Sequence, residues 1–299
     1  MANSIDLARH YARVLDEEYA AAAKSSVLNV APGYVREGDS AGSFYIPQIS
    51  VPGLGDYSKT TGFPDGAVTF GWEAYTYTQD RGRGFDVDAV DNMETAGLAF
   101  GRLAGEFLRT RVVPEIDAYR FSTIADDATA TGTEEETLST SAEWLASIDK
   151  GIAYLGDAEV DEGNRVMFIN WTGYNALKNS DARYRFSPGG ELDRRFESFD
   201  GIPVITVPAG RFNSSIRLNT GTLDAGTGGY DTNGNLINLI LMDKGAVFAD
   251  AKHVAPRIFA PSVNQDKDSW LFQYRIYHDC FVLDNKESGI YVSISSTVS

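Results

Sequence analysis

The N-terminal segment combines a helical pattern with an extended one. Apolar residues recur every three or four positions over residues 5–23, which predicts an amphipathic helix. The stretch that follows, to about residue 40, contains Pro32, Gly33 and Gly38 and is typical of an extended arm. The apolar positions of the predicted helix are Ile5, Ala8, Ala12, Leu15 and Tyr19.

A long β-hairpin is predicted next. Residues 43–50 form one candidate strand, and residues 68–74 alternate between apolar and polar side chains with the period of a strand. The residues between them are rich in glycine and proline, which indicates a loop. The hairpin holds few residues for a core of its own, so we expect its apolar groups to be buried on another subunit.

The longest helical pattern covers residues 91–124, and Pro114 should kink or break that helix near Val113. A polar loop follows at residues 125–137. Beyond it, helical and strand patterns alternate, which predicts a mixed α/β layer. The helices of this layer are predicted at 140–155 and 172–178, and its strands at 165–171, 202–207 and 236–242.

The C-terminal part of the sequence is again typical of strands. Residues 220–235 are rich in glycine and asparagine and predict a surface loop. After it come a short strand at 256–261 and a strand at 270–283. The second is too long for an ordinary sheet unless it bends or extends between layers. A strand at 290–294 closes the chain, and the fold class is α+β.

Composition and charge narrow the function classes. Hydrophobic residues make up 43% of the 299 residues, which excludes a disordered chain. The net charge of −16 argues against a dedicated nucleic-acid binder, which normally carries a basic surface. No apolar run approaches the roughly 20 residues of a membrane span, so we expect no membrane partner. The first residues lack a secretory signal pattern, and a single cysteine, Cys280, fits folding in a reducing cytoplasm.

The residues that could form a catalytic centre are few. His10, His253 and His278 are far apart, and with one cysteine they do not form a zinc motif. His278 and Cys280 could form a nucleophile pair, but they lie in an apolar run, which favours a buried and inert thiol. Ser147 and Lys150 match a Ser-x-x-Lys pattern without its companion motifs, so we attribute the match to chance.

Two further patterns resemble ligand sites without completing them. Residues 82–84 read Gly-Arg-Gly, but the third glycine of a dinucleotide loop is absent. Asp86, Asp88 and Asp91 resemble part of a calcium loop, yet its glycine and distal glutamate are missing. We favour helix capping for these aspartates. No catalytic, cofactor-binding or metal-binding residue is therefore predicted.

The order of the predicted parts resembles the major capsid proteins of tailed phages, in the fold type of phage Hong Kong ninety-seven. An arm, a hairpin, a long helix, an inserted α/β unit and returning strands follow one another over nearly the whole chain. Short strings support the resemblance: GLGDY at 53–57, QDRGRGFDVD at 79–88, GIPVI at 201–205, YRIYHD at 274–279 and VLDNKESGIY at 282–291.

The resemblance implies a division of the chain into the parts of that fold. These are an N-terminal helix and arm (1–35), an E-loop hairpin (36–85), a P-domain with its spine helix (86–139), an A-domain (140–250) and returning P-domain strands (251–299). It also implies intersubunit contacts through the E-loop. The residues expected to make them are Tyr57, Lys59, Arg81 and Arg83.

The function implied by the resemblance is structural and not enzymatic. Such a protein self-assembles into hexamers and pentamers of an icosahedral shell, is assembled in the host cytoplasm and resides in the virion. The shell encloses double-stranded DNA without reading its sequence, and an acidic inner face suits that task because it does not adhere to phosphate. No cofactor is implied. Separate scaffolding, portal and decoration proteins are the other expected partners.

Some relatives join their subunits by a lysine–asparagine isopeptide bond, with a glutamate assisting. Lys59 lies in the predicted E-loop, and Asn264 and Asn285 lie in the returning strands. We favour a solvated or ionic role for Lys59 over a cross-link. Two other functions stay open: an encapsulin-type cellular shell, which a cargo-docking groove near the N-terminal helix would indicate, and a soluble α/β enzyme, which would need a pocket of convergent polar groups.

Overall fold

The computed structural model describes residues 23–29, 36–37, 42–60, 62–90, 98–128, 132–179, 185–186, 192–193, 197–221 and 228–296. The predicted helix at 5–23 therefore lies almost wholly outside the described residues. The helices within these ranges are α1 (Leu98–Phe107), α2 (Val113–Ala128), α3 (Ser141–Asp157) and α4 (Trp171–Lys178), with a π-helical segment (Leu108–Val112) between α1 and α2. None of the described helices is long and apolar enough to span a bilayer.

The described strands form one six-stranded sheet, two three-stranded sheets and two short pairs. In chain order they are β1 (Arg36–Glu37), β2 (Ser43–Ser50), β3 (Thr69–Thr76), β4 (Gln79–Asp88), β5 (Thr133–Glu136), β6 (Arg165–Asn170), β7 (Arg185–Phe186), β8 (Leu192–Asp193), β9 (Ser198–Phe199), β10 (Ile202–Val207), β11 (Ile216–Leu218), β12 (Tyr230–Thr232), β13 (Ile237–Asp243), β14 (Val247–Phe259), β15 (Ser269–Val282) and β16 (Ile290–Ser295).

The long helix continues through Pro114, and its irregularity lies just before the proline. Proline has no N–H to donate to the carbonyl four residues back. The backbone adapts with the π-helical segment, whose end is marked by the Val113 N–H donating to the Leu108 carbonyl, five residues earlier. The predicted disturbance near Val113 is thus confirmed in position, but it takes the form of a π segment and not a break.

The six-stranded sheet has the order β5-β16-β13-β6-β10-β9 and is covered on both faces. Successive side chains of its buried strands point to opposite faces, so they pack alternately into two hydrophobic clusters. On β6, Val166 and Phe168 pack with α2, whereas Met167 and Ile169 pack with α3 and α4. A capping box fixes the start of α3: the Thr140 hydroxyl accepts from the Glu143 N–H while the Glu143 carboxylate accepts from the Thr140 N–H.

A second sheet, of order β14-β15-β4, supports the N-terminal part of the long helix. β15 pairs along its length with β14 on one side and with β4 on the other. A register shift between Ala251 and His253 bends β14. This bend lets strands of 13 and 14 residues stay in one sheet. An apolar cluster of helix and sheet residues, including Leu108, Ile116 and Phe272, joins the helix to this sheet.

Three elements differ from the sequence-based expectations. The short strand predicted at 256–261 is the end of the 13-residue strand β14. The polar loop predicted at 125–137 contains β5, which pairs in parallel with β16 at the edge of the six-stranded sheet. β16, grouped by the sequence with the returning strands, pairs with β13 and β5 in that same sheet. Each difference arises from a long-range pairing that a local pattern does not encode.

Candidate assembly surfaces

The hairpin of β2 and β3 carries most of the exposed apolar surface. Its strands pair antiparallel from Ser43 opposite Thr76 to Ser50 opposite Thr69. Eight of the twelve large hydrophobic residues that are exposed in the described chain lie between positions 49 and 72. Isolated exposed apolar residues are ordinary, but a contiguous set marks an interaction surface. The eight are Ile49, Val51, Leu54, Tyr57, Phe63, Val68, Phe70 and Trp72.

The loop between the two strands ends in a small closed turn. Ser58 and Gly62 exchange backbone hydrogen bonds of 3.1 and 2.8 Å, and Gly62 adopts a φ of +83°, which favours glycine. The Tyr57 and Phe63 rings pack across this turn with centroids 4.9 Å apart. Lys59 lies inside the turn and is exposed. Tyr57 and Lys59 thus occupy the outer end of the hairpin, available to a neighbouring molecule.

The other end of the hairpin is anchored in an aromatic cluster. Phe44 of β2 is buried against Phe248 and Phe281, with ring centroids 5.6 and 4.9 Å away. The Tyr77 hydroxyl donates to Asp250 Oδ2 at 2.6 Å, and the Tyr277 hydroxyl donates to the Tyr77 carbonyl at 2.8 Å. The hairpin therefore has one end fixed to the body and one end that exposes apolar groups.

Asp279 ties this anchor to the long helix. Its carboxylate is buried and accepts from the Thr78 N–H at 2.6 Å, from the Thr78 hydroxyl at 2.8 Å and from the Tyr119 hydroxyl at 2.7 Å. A fourth bond comes from the Cys280 N–H. Sequence reasoning missed this residue, although an aspartate within an apolar strand pattern is itself a signal of a buried polar contact.

Arg81 makes contacts within its own chain. Its Nε lies 2.6 Å from Glu115 Oε1 on α2, and its two terminal nitrogens donate to the carbonyls of Asn219 and Gly229. It therefore joins β4 to the helix and to the β11–β12 pair, a role that sequence reasoning did not predict. Arg83 is exposed, and its guanidinium group lies close to the backbone of Gly221 and Gly228. A methyl group added at either glycine would come within 3.0 Å of Arg83 Nη1.

The candidate nucleophiles are inert in this setting. His278 and Cys280 are both buried, as predicted. Burial, with Arg120 nearby, lowers the pKa of His278 to about 4, and burial raises the pKa of the Cys280 thiol to about 12. Ser147 is buried, and the Lys150 amine is held by Glu134 and Glu136 at 2.9 and 2.6 Å.

The aspartates of the partial calcium loop have ordinary structural roles. Asp88 Oδ1 accepts from the Val90 N–H at 2.8 Å, in agreement with a capping role, and Asp86 pairs with Lys267 at 3.2 Å. Asp91 lies outside the described residues. Within the described part of the chain, no group of three histidine, cysteine or acidic side chains is arranged to hold a metal ion.

A long helix on a three-stranded sheet, a six-stranded α/β unit and a hairpin with an exposed apolar end define an α+β architecture. No family model matches the sequence, and no curated protein matches it. Solved structures do match. The capsid of the cyanophage P-SCSP1u is 13% identical, with a TM-score of 0.62, over 88% of this chain and 86% of that chain.

Two further structures agree with this similarity. One from Gordonia phage Cozz is 14% identical with a TM-score of 0.60, over 92% of this chain and 86% of that one. The mature capsid of bacteriophage PhiM1 is 10% identical with a TM-score of 0.57, over 90% of each chain. The chain has the tailed-phage major capsid fold of the Hong Kong ninety-seven type, and the predicted fold class is confirmed.

Proposed function

We propose that the chain is a structural subunit of a viral shell and not an enzyme. The observation that carries the proposal is the hairpin: it is anchored at one end and exposes eight large apolar residues toward the other. Burying a leucine or phenylalanine side chain contributes about 1.5–3 kcal/mol, so this surface is costly on an isolated chain. A neighbouring copy that covers the hairpin would bury these apolar side chains and remove that cost.

The finer features of the proposal follow from the same architecture. Copies of the chain join in a head-to-tail manner, hairpin to neighbouring body, which closes into rings. We propose that these rings are hexamers and pentamers of an icosahedral shell around double-stranded DNA, in a virion assembled in the host cytoplasm. The net charge of −16 supports an inner surface that does not adhere to packed phosphate. Scaffolding, portal and decoration proteins are further proposed partners.

Tyr57, Lys59, Arg81 and Arg83 keep a proposed part in these contacts. Tyr57 and Lys59 lie at the exposed end of the hairpin, which supports a direct contact with a neighbour. Arg83 is exposed on β4, which supports a contact with an acidic group of another copy. Arg81 is engaged within the chain, so its contribution is to fix the position of β4.

Assembly is tested with the purified chain, alone and with the proteins encoded beside it. Size-exclusion chromatography and negative-stain imaging should show closed shells tens of nanometres across, with nuclease-resistant DNA inside when packaging proteins are present. Leu54→Glu and Phe63→Glu should abolish the shells, because each places a charge in the buried contact. Trp171→Glu, at an exposed position outside the hairpin, is the matched control.

The outcome against the proposal is equally specific. Hairpin variants that assemble as well as the control would remove the hairpin from the shell contact. A chain that stays monomeric with every neighbouring protein present would remove the shell function. Particles that hold a protein cargo and exclude DNA would favour a cellular shell of the same fold.

A further inference from the structure

On β3, the contact between hairpin and body ends at Glu73. Residues 69–72 are exposed, and Glu73 is the first partly buried position reached from the hairpin loop. Tyr75, two residues further, already packs against the Phe44 and Phe281 rings of the aromatic cluster. Because alternate residues of a strand share one face, Glu73 and Tyr75 face the body together. The contacts of Glu73 therefore fix the direction in which the exposed part of the hairpin leaves the body.

Glu73 meets a second carboxyl group, that of Asp284, at hydrogen-bonding distance. Asp284 begins the 3₁₀ helix Asp284–Gly289, which follows β15. Tyr75 fixes both partners: its hydroxyl donates to Glu73 Oε2 at 3.1 Å and accepts from the backbone N–H of Asp284. The Gln48 amide also donates to Glu73 Oε2. Two carboxyl groups bond to each other only when a proton lies between them, because two carboxylates repel.

The surroundings of this pair are acidic. The hydrogen bond to Asp284, partial burial and the charges of Asp284 and Glu287 raise the pKa of Glu73 above its ordinary value. At the end of α2, partial burial raises the pKa of Asp127, and the charges of Asp126, Glu287 and Asp284 add to that effect. Three elements, β3, the 3₁₀ helix and α2, thus bring carboxyl groups to one place.

Basic side chains do not offset these charges. Within the described part of the chain, no lysine or arginine forms an ion pair with Glu73 or Asp284. The basic side chains of the adjoining elements have other partners: Lys286 lies 3.8 Å from Asp243, Lys252 lies over the Tyr77 ring and Arg36 lies over the Trp72 ring. The proton between Glu73 and Asp284 is therefore what removes the repulsion at this contact.

We propose that Glu73 and Asp284 form a proton-dependent latch that sets the direction of the hairpin. With one proton between them, the two carboxyl groups join β3 to the 3₁₀ helix, and the hairpin is docked as the structure shows it. When that proton is released to water, both groups are negative, and their repulsion displaces the outer part of the hairpin from the body. The aromatic cluster around Phe44 remains as the pivot. This latch goes beyond the shell function and does not depend on it.

The sign of the pH dependence follows from the docked position. Docking raises the pKa of Glu73 above its ordinary value of 4.5, so the docked chain binds the proton more tightly than the displaced chain. Docking is therefore most stable below pH 4.5 and weakens as the pH rises through the raised value. A tenfold difference in proton affinity between the two positions changes their ratio by up to about tenfold.

The distance between two spin labels measures the direction of the hairpin in the unassembled chain. One label is attached at Gly53→Cys in the hairpin loop, where a Cβ meets nothing within 4 Å, and the other at Val254→Cys, an exposed position on β14. The native Cys280 is buried and is not labelled. Between about pH 5 and about pH 8, the ratio of docked to displaced chains should fall by at least about tenfold.

Three variants of the labelled chain assign the effect. Glu73→Gln donates an amide N–H to Asp284 at any pH, so the hairpin should stay docked throughout. Asp284→Lys attracts the ionised Glu73 carboxylate and should also stay docked at the higher pH, whereas a merely structural role of Asp284 would not survive this exchange. Asp127→Asn is the matched control: it removes a carboxyl group from the same surroundings, and the pH response should remain.

A titration of the carboxyl group provides a second test. Carbon-13 NMR follows the Glu73 carboxyl carbon, whose signal is assigned by its absence in Glu73→Gln. The titration midpoint should lie above 4.5 in the parent and should fall in Asp284→Asn, which removes the shared proton. A midpoint at or below 4.5 in the parent would contradict the latch.

Equal distance distributions at the two pH values in the parent would also overturn the proposal. The same holds for a pH response that persists in Glu73→Gln, or for one that disappears in Asp127→Asn. Both measurements use the unassembled chain, so a negative result leaves the shell function standing.

Discussion

The Tyr119 hydroxyl on α2 donates a 2.7 Å hydrogen bond to Oδ1 of Asp279 on β15. The other oxygen of the same carboxylate accepts two bonds from Thr78, the residue that links the hairpin to β4. One buried side chain thus holds together the long helix, the long sheet and the base of the hairpin. The base of the hairpin can therefore move relative to the helix only if some of these hydrogen bonds break or if Asp279 moves with it.

Removing this carboxylate should destabilise the chain strongly. Asp279→Ala removes the shared acceptor of Thr78, Tyr119 and Cys280, and it leaves the buried Cys280 N–H and the half-buried Tyr119 hydroxyl unpaired. We expect a loss of about 3 kcal/mol in the free energy of unfolding. Tyr119→Phe removes one donor and should cost about 1 kcal/mol. Urea denaturation followed by tryptophan fluorescence measures both. Equal losses for the two variants would contradict the central role of Asp279.

His278 makes stability fall toward acid pH. The fold lowers its pKa from 6.5 to about 4, mainly by burial, so the neutral imidazole is the folded form. Above pH 6.5 neither state binds the proton and the contribution is complete. Between pH 6.5 and 4 only the unfolded chain takes it up, so stability falls, by about 3 kcal/mol in all.

The comparison of His278→Gln with the parent isolates this effect. Carboxylates titrate in both proteins and cancel in the difference. The parent should lose more unfolding free energy than the variant when the pH changes from 7.5 to 4.5. Identical pH profiles for the two proteins would show that His278 is not the responsible group.

Two helical glycines offer a matched pair for testing the core. A Cβ on Gly173 of α4 would meet the buried Trp144 ring, whereas a Cβ on Gly156 of α3 would meet nothing within 4 Å. Gly173→Ala should destabilise the chain by about 1–3 kcal/mol through overpacking. Gly156→Ala should stabilise it by about 0.5–1 kcal/mol through helix propensity. Thermal unfolding of the two variants and the parent measures both effects. A lower melting temperature for Gly156→Ala would contradict the open space at that position.

Lys59 provides a test of covalent joining between subunits. It lies in the exposed turn at the end of the hairpin, and Asn264 uses its side-chain amide to bind Ser269. We expect denaturing electrophoresis of assembled particles to give a single band at 32.6 kDa, with or without Lys59→Arg. A ladder of higher bands that disappears in Lys59→Arg would establish the cross-link instead.

The parts of the fold that the sequence predicts well are those with a local signal. The alternation at 68–74 and the apolar runs of β6, β10 and β13 placed these strands within one or two residues of their observed bounds. The full length of β14 was not predicted, because Lys252, His253 and Pro256 interrupt its apolar pattern and its stability comes from pairing with β15. Such pairing depends on residues 12 to 35 positions away, which no short window contains.

For the candidate surfaces, too, features with a local sequence signal could be predicted and features that depend on distant residues could not. The exposure of the hairpin was predictable, because its glycine- and proline-rich loop lacks residues for a core. The hydrogen bonds of Asp279 could not be predicted from the sequence, because its partners Thr78 and Tyr119 lie about 200 and 160 positions away. Arg81 was predicted to contact another subunit, and that stays a prediction; its partners within the chain, Glu115, Asn219 and Gly229, are far away in the sequence and are brought beside it only by the fold.

The burial of the lone thiol has a practical consequence. Cys280 is 4% exposed, and burial raises its pKa to about 12, so thiol-directed reagents do not reach it in the folded chain. A cysteine introduced at the hairpin turn, as in Lys59→Cys, is then the one reactive group for a maleimide dye or a tethered peptide. Labelling at that site reports on the hairpin alone, and the rate of labelling before and after assembly follows its burial directly.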